Sequence, residues 1–254
     1  FNALAANTTG EYNTALGQSA LVANTTGAKN VAVGNYALNA NTTAGNNVAI
    51  GYGALDANTT GGENTAIGDD ALGENTGANT NTAIGYHSLY ANTTGGNNTA
   101  VGGASLLSNS TGAANTAVGK GSLQANTTGA YNTAVGEQAL DAITTANYNT
   151  AFGRQALTSM TGSGQNDAFG NRAGYGISSG SANTLMGNHA GYNITTGDNN
   201  TAIGRYAAGD AAGAGTNLTS DNNTLIGYYA GTQITIGSNN TAVGAYSLDA
   251  CTTG

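Results

Sequence analysis

The chain has no proline and no tryptophan, one cysteine, and only five basic residues in 254. One thiol, Cys251, cannot close an intrachain disulfide, so stability must come from elsewhere. Five Lys and Arg against a net charge of −8 cannot form a basic stripe. That argues against nucleic-acid binding by phosphate neutralisation and against polybasic attachment to a membrane surface. No apolar run approaches the about 20 residues of a spanning helix, so no direct membrane insertion is expected of this segment. The sequence starts and ends in mid-repeat, and the natural termini are expected outside it.

What the chain does have is 41 glycines, abundant Asn, Thr and Ala, and a strict phase. The pentad Asn13-Thr14-Ala15-Leu16-Gly17 returns as Asn30-Val31-Ala32-Val33-Gly34 and onward in steps of 17 residues. Its Asn falls at Asn13, Asn30, Asn47, Asn64, Asn81, Asn98, Asn115, Asn132, Asn149, Asn166, Asn183 and Asn200, slips once to Asn223, and resumes at Asn240. Its Gly is Gly17, Gly34, Gly51, Gly68, Gly85, Gly102, Gly119, Gly136, Gly153, Gly170, Gly187, Gly204, Gly227 and Gly244. Disordered glycine-rich sequence keeps no such phase, so the period implies an ordered repeat architecture.

Each unit holds two apolar slots separated by turn formers. One is the aliphatic residue of the pentad; the other is Leu21, Leu38, Leu55, Leu72, Leu89, Leu106, Leu123, Leu140 or Leu157. Neither segment is long enough for a helix, Thr, Val and Ile favour strand, and Asn-Thr-Gly clusters favour turns. The expected fold is all-β: residues 1–254 as one parallel β-solenoid of about 14 coils, about 17 residues and two short strands per coil. Alternation puts the Thr or Val and the aliphatic residue on one strand face and the intervening Ala on the other. That Ala slot is never charged, so it is expected to be covered by another chain. The pentad Gly marks a bend with positive φ or a close backbone approach. The Asn column is expected to stack at about 4.8 Å and bond along the axis, giving a rod about 70 Å long. Two large apolar side chains per coil are a thin core to set against ordering 17 residues, so homo-oligomerisation through the Ala face is expected.

After residue 154 the pattern changes. The Leu slot becomes Gly174, Gly191, Ala208 and Gly231, while Ile177, Ile194 and Ile234 enter the turn, so the core residue is expected to move along the coil. The slip before Asn223 adds six residues to the 17-residue step, placed in a loop at about 209–221.

Asn-Val-Ala-Val-Gly at 30–34 and Asn-Val-Ala-Ile-Gly at 47–51, each followed by an Ala-Leu slot, resemble the head repeats of YadA-type trimeric autotransporter adhesins. The longer forms at 81–86 and 190–197 are similar to repeats of phage tail fibres and related extracellular fibres. The resemblance covers nearly the whole chain. It implies a left-handed parallel β-roll, a homotrimer, and an extracellular place on a cell surface or virion fibre.

Catalytic chemistry is not visible. His87 and His189 fall in different repeats and do not read as a metal pair. The thirteen acids do not recur in phase as in calcium-binding β-rolls, and Asp69-Asp70 reads as a solvated turn. No nucleophile elbow, phosphate loop or zinc-protease motif occurs. No catalytic, metal or cofactor residue is therefore assigned. Asn7, Asn24, Asn41, Asn58, Asn92 and Asn126 form Asn-x-Thr sequons, read first as turn chemistry and second as glycan acceptors. Tyr36, Tyr52, Tyr86, Tyr206, Tyr228 and Tyr246 follow the pentad Gly and are candidate surface contacts for sugar or receptor.

Repetition without a catalytic cluster points to a non-enzymatic structural or adhesive fibre whose partners are cell surfaces, glycans or host receptors. A phage-like tail-fibre shaft is the first alternative. An ice-binding solenoid is the second, weakened because Thr65 shares its face with Ile67.

Overall fold

The computed structural model describes residues 2–162, 164–209 and 217–250. They form two compact units, Phe1–Gly129 and Ala130–Gly254. Both are parallel β-solenoids, and no helix occurs among the described residues.

The first unit carries strands β1 (Thr14–Leu16), β2 (Val31–Val33), β3 (Val48–Ile50), β4 (Thr65–Ile67), β5 (Thr82–Ile84), β6 (Thr99–Val101) and β7 (Thr116–Val118). Neighbours pair in parallel with like opposite like: Thr65 lies beside Val48 and Thr82, Ala66 beside Ala49 and Ala83. The second unit carries β8 (Thr133–Val135), β9 (Thr150–Phe152), β10 (Asp167–Phe169), β11 (Thr184–Met186), β12 (Thr201–Ile203), β13 (Thr224–Ile226) and β14 (Thr241–Val243), paired in the same way.

Each coil holds one strand, not the two expected. The second apolar segment is a tight turn whose backbone alternates through the left-handed region. In the β4 coil Glu63, Asp70 and Leu72 have φ of 60°, 50° and 53°. Such residues cost about 1–2 kcal/mol each in an L-chain. The turn persists because its amides bond to the next coil. Leu72 N–H donates to Ser88 O at 3.0 Å, and Thr59 N–H to Thr76 O at 3.0 Å. Gly68 ends the strand at φ +135°, which only glycine adopts readily. A Cβ there would lie 2.5 Å from Gly85 O, so positive φ and close approach coincide.

The larger correction concerns which strand face is inside. Ala32, Ala49, Ala66, Ala83, Ala100 and Ala117 are fully buried in the first unit, as are Ala134, Ala151, Ala168, Leu185, Ala202 and Leu225 in the second. The pentad aliphatics face outward: Leu16 is 67% exposed, Ile50 39% and Phe152 53%. The Ala face is therefore covered by the coil's own interior, not by another chain. That interior is filled by Ala and the second-slot leucines, Leu21 through Leu157, all at 0% exposure. It is too narrow to take a larger strand residue as well.

In the second unit Ile177, Ile194 and Ile234 are buried, so the core residue does move along the coil where Gly174, Gly191 and Gly231 replace Leu. Residues 210–216 of the expected insertion lie outside the described residues. Beyond them Leu218 bridges Ile194, and Asn223 N–H donates to Asn200 Oδ1 across 23 residues, which restores the phase.

Candidate functional surface

The pentad Asn are buried, apart from half-buried Asn13 and Asn240. Asn64 shows the pattern. Its N–H donates to Asn47 Oδ1 at 2.9 Å, and its Nδ2 donates to the turn carbonyl of Ala78 at 2.8 Å. This column clips each strand start to the coil before it and to its own turn. Direct amide-to-amide bonds occur at some steps, as from Asn183 Nδ2 to Asn166 Oδ1 at 3.0 Å.

A second, uninterrupted amide ladder lies at Asn7, Asn24, Asn41, Asn58, Asn75, Asn92, Asn109 and Asn126. Nδ2 of each donates to Oδ1 of the one before it at 2.8–3.2 Å, and to the carbonyl three residues on. Asn7, Asn24, Asn41, Asn58, Asn92 and Asn126 in this ladder are the sequon asparagines named above. Asn24, Asn41, Asn58, Asn92 and Asn126 have no exposure, so the folded chain offers their nitrogens to no glycan. In the second unit the corresponding positions are apolar: Ile143, Met160, Ile177 and Ile194. Asn126 Oδ1 is buried without a hydrogen-bond partner, and the residue 17 positions on is Ile143.

The aromatic candidates do not form free platforms. Tyr52 and Tyr86 are more than half exposed, but Tyr36 meets Tyr52 edge to face at 5.9 Å and Tyr86 stacks on His87 at 3.9 Å. Tyr228 contacts Tyr229 and Tyr246. Tyr206 is only 7% exposed; it packs between His189 and Tyr229, and its hydroxyl accepts from Arg205 Nη2 at 3.2 Å. Arg172 lies over Tyr175 and Arg205 over Tyr206, each a cation–π contact. Burial, helped by Arg172 and Arg205, pushes the His189 imidazole below its ordinary pKa. One coil edge of the second unit is thus an aromatic stack whose rings mostly cover one another.

Two surfaces remain open. The first is the outward strand face, where a Thr or Val column runs beside an aliphatic column: Val48 with Ile50, Thr65 with Ile67, Thr82 with Ile84. The second is a polar edge of the first unit. Asp69, Asp70 and His87 place one ligand atom each within 4.8 Å of one another, the one such group of three among the described residues. His87 Nε2 lies 3.5 Å from Asp70 Oδ2, and His87 N–H donates to Asp69 O at 3.0 Å. Asp56 and Glu74 are close by; burial first, then the carboxylates of Asp70 and Glu74, raise the Asp56 pKa. Reading Asp69-Asp70 and His87 separately missed this grouping. The signal was present, because Asp70 and His87 are 17 residues apart and share a column.

No protein-family model matches the chain, and no curated protein is significantly similar to it.

Proposed function

We propose that this chain is a non-catalytic segment of an extracellular structural or adhesive fibre, assembled as a homotrimer through its outward strand face. The observation that carries this reading is the exposure of an in-register aliphatic column in both units. Leu16, Ile50 and Ile84 in the first, and Phe152, Phe169 and Met186 in the second, stand in solvent on a single chain. Contiguous exposed apolar columns of this kind mark interaction surfaces. The coil interior cannot take them in, so a second copy of the same column is the fitting cover. The YadA-type and tail-fibre resemblance supports the same assembly and an extracellular place.

Sedimentation of the wild-type chain at micromolar concentration tests this, with Ile50→Ser, Ile67→Ser and Ile84→Ser combined as the variant. The wild type is expected to sediment as an oligomer and the variant as a folded monomer. A folded wild-type monomer refutes the assembly. Detectable turnover of a polymer substrate counts against the non-catalytic part.

The solvent-facing Thr65, Thr82, Thr99 and Thr116 give ice binding a place as a second reading, since they form a hydroxyl column on a regular sheet. A null thermal-hysteresis assay removes it.

A further inference from the structure

We propose that Asp69, Asp70 and His87 form a binding site for a divalent transition-metal ion of the zinc class. Two carboxylates and one imidazole make a mixed oxygen and nitrogen donor set. Zn²⁺ takes such ligands at about 2.0–2.2 Å, whereas Ca²⁺ takes six to eight oxygens and has little use for an imidazole. The three ligand atoms already lie within 4.8 Å of one another, and all three side chains reach solvent, so small side-chain rotations bring them onto one ion.

Two features go beyond a simple His87–Asp70 ion pair. The first is orientation. The His87 ring is stacked at 3.9 Å on Tyr86 and lies 5.1 Å from Tyr90, with its Nε2 3.5 Å from Asp70 Oδ2. The second is charge. No Lys or Arg occurs between Lys29 and Lys120, while Asp56, Glu63, Asp69, Asp70 and Glu74 all fall in that span. This edge therefore has no fixed cation of its own. Three protein ligands leave coordination positions open, for water or for a donor on another molecule.

The test is isothermal titration of untagged chain in a Cys251→Ser background with ZnCl₂, and separately with CaCl₂ and MgCl₂. The variants are His87→Gln, Asp70→Asn and, as a control, His189→Gln. Glutamine is chosen because the same column holds Gln138 and Gln155 at φ of 56° and 55°, close to the 51° of His87. The expected result is saturable Zn²⁺ binding at one ion per chain, weakened at least about tenfold by His87→Gln and by Asp70→Asn, since even outer-shell partners are worth about 10–100-fold. His189→Gln leaves it unchanged, and the urea midpoint without metal confirms that each variant folds. The proposal is overturned by absence of saturable Zn²⁺ binding, by Zn²⁺ binding indifferent to His87→Gln, or by Ca²⁺ and Mg²⁺ binding equally well.

Discussion

The buried amide ladder makes an unusual prediction about additivity. Consider Asn58→Ile. Asn58 Nδ2 donates to Asn41 Oδ1 at 3.2 Å and to Gly61 O at 2.9 Å, and Asn58 Oδ1 accepts from Asn75 Nδ2 at 2.9 Å. Gly61 O keeps a donor in Asn47 Nδ2. Asn75 Nδ2 keeps the carbonyl of Ala78 but loses half its bonding, and Asn41 Oδ1 loses its ladder donor. Two compromised buried groups at about 1–3 kcal/mol each give about 2–6 kcal/mol of destabilisation. Now replace Asn58, Asn75 and Asn92 together by Ile. The compromised groups are Asn41 Oδ1 at one end and Asn109 Nδ2 at the other, again two, because Asn109 still has Gly112 O. The interior of the replaced stretch holds no stranded amide, and each added Ile gains about 1.5–3 kcal/mol of apolar burial where it fits. Ile143 fits beside Leu140 in the second unit, both fully buried, so the coil admits this residue. The triple variant is therefore expected to be no less stable than the single one, whereas independent sites would lose about three times as much. Urea denaturation followed by circular dichroism, with single, double and triple variants on one scale, reads this directly. Stability that falls in equal steps from single to triple refutes the ladder as a cooperative unit.

Three further outcomes follow from the same geometry. Gly68→Ala puts a Cβ 2.5 Å from the Gly85 carbonyl at a φ of +135°, and summing strain and overpacking gives a loss of about 2–6 kcal/mol; a wild-type urea midpoint contradicts it. Gly191→Leu alone clashes with Leu185, whose Cδ2 lies 2.6 Å from a Cβ built at Gly191, and Leu185→Ala alone leaves a void costing about 2–5 kcal/mol. Together they recreate the Ala134, Leu140 and Ile143 packing, so the double variant should be more stable than either single one; additive losses contradict this. The His189 pKa is lowered by folding from the ordinary 6.5, so the unfolded chain binds the proton first as pH falls. The stability due to neutral His189 is thus present above about pH 6.5 and declines below it, and His189→Gln should flatten that slope in thermal melts between pH 7.5 and 5.

The phase of the repeat was legible because a 17-residue step leaves every strand start, turn glycine and core leucine in its own column, and parallel pairing reads the same columns. The inside and outside of the strand were not, because residue size misleads in a coil this narrow. A large aliphatic beside a small Ala suggests that the aliphatic is the core residue, yet the lumen already holds a leucine and an asparagine amide per coil and has room for a methyl group only. The sequence contained the correction in its exceptions. The inward strand position is Leu in two coils, at Leu185 and Leu225, and six residues later in each the leucine slot is Gly191 or Gly231. Those glycines are where the strand leucines reach: a Cβ at Gly231 would lie 2.7 Å from Leu225 Cδ1, and one at Gly191 would lie 2.6 Å from Leu185 Cδ2. Compensating volume between two positions means they share one cavity, so the strand residue that trades with a buried leucine must itself point inward. The outward aliphatics trade with nothing: Leu16, Val33 and Ile67 differ in size while the inward Ala and the slot leucine of their coils, Leu21, Leu38 and Leu72, stay the same. Freedom to vary in size is what a surface column has and a packed interior lacks. The same logic places Asp70 above Gly53, whose missing side chain leaves room for the Asp70 carboxylate, and so brings into one column the acid and the imidazole that linear reading had kept apart.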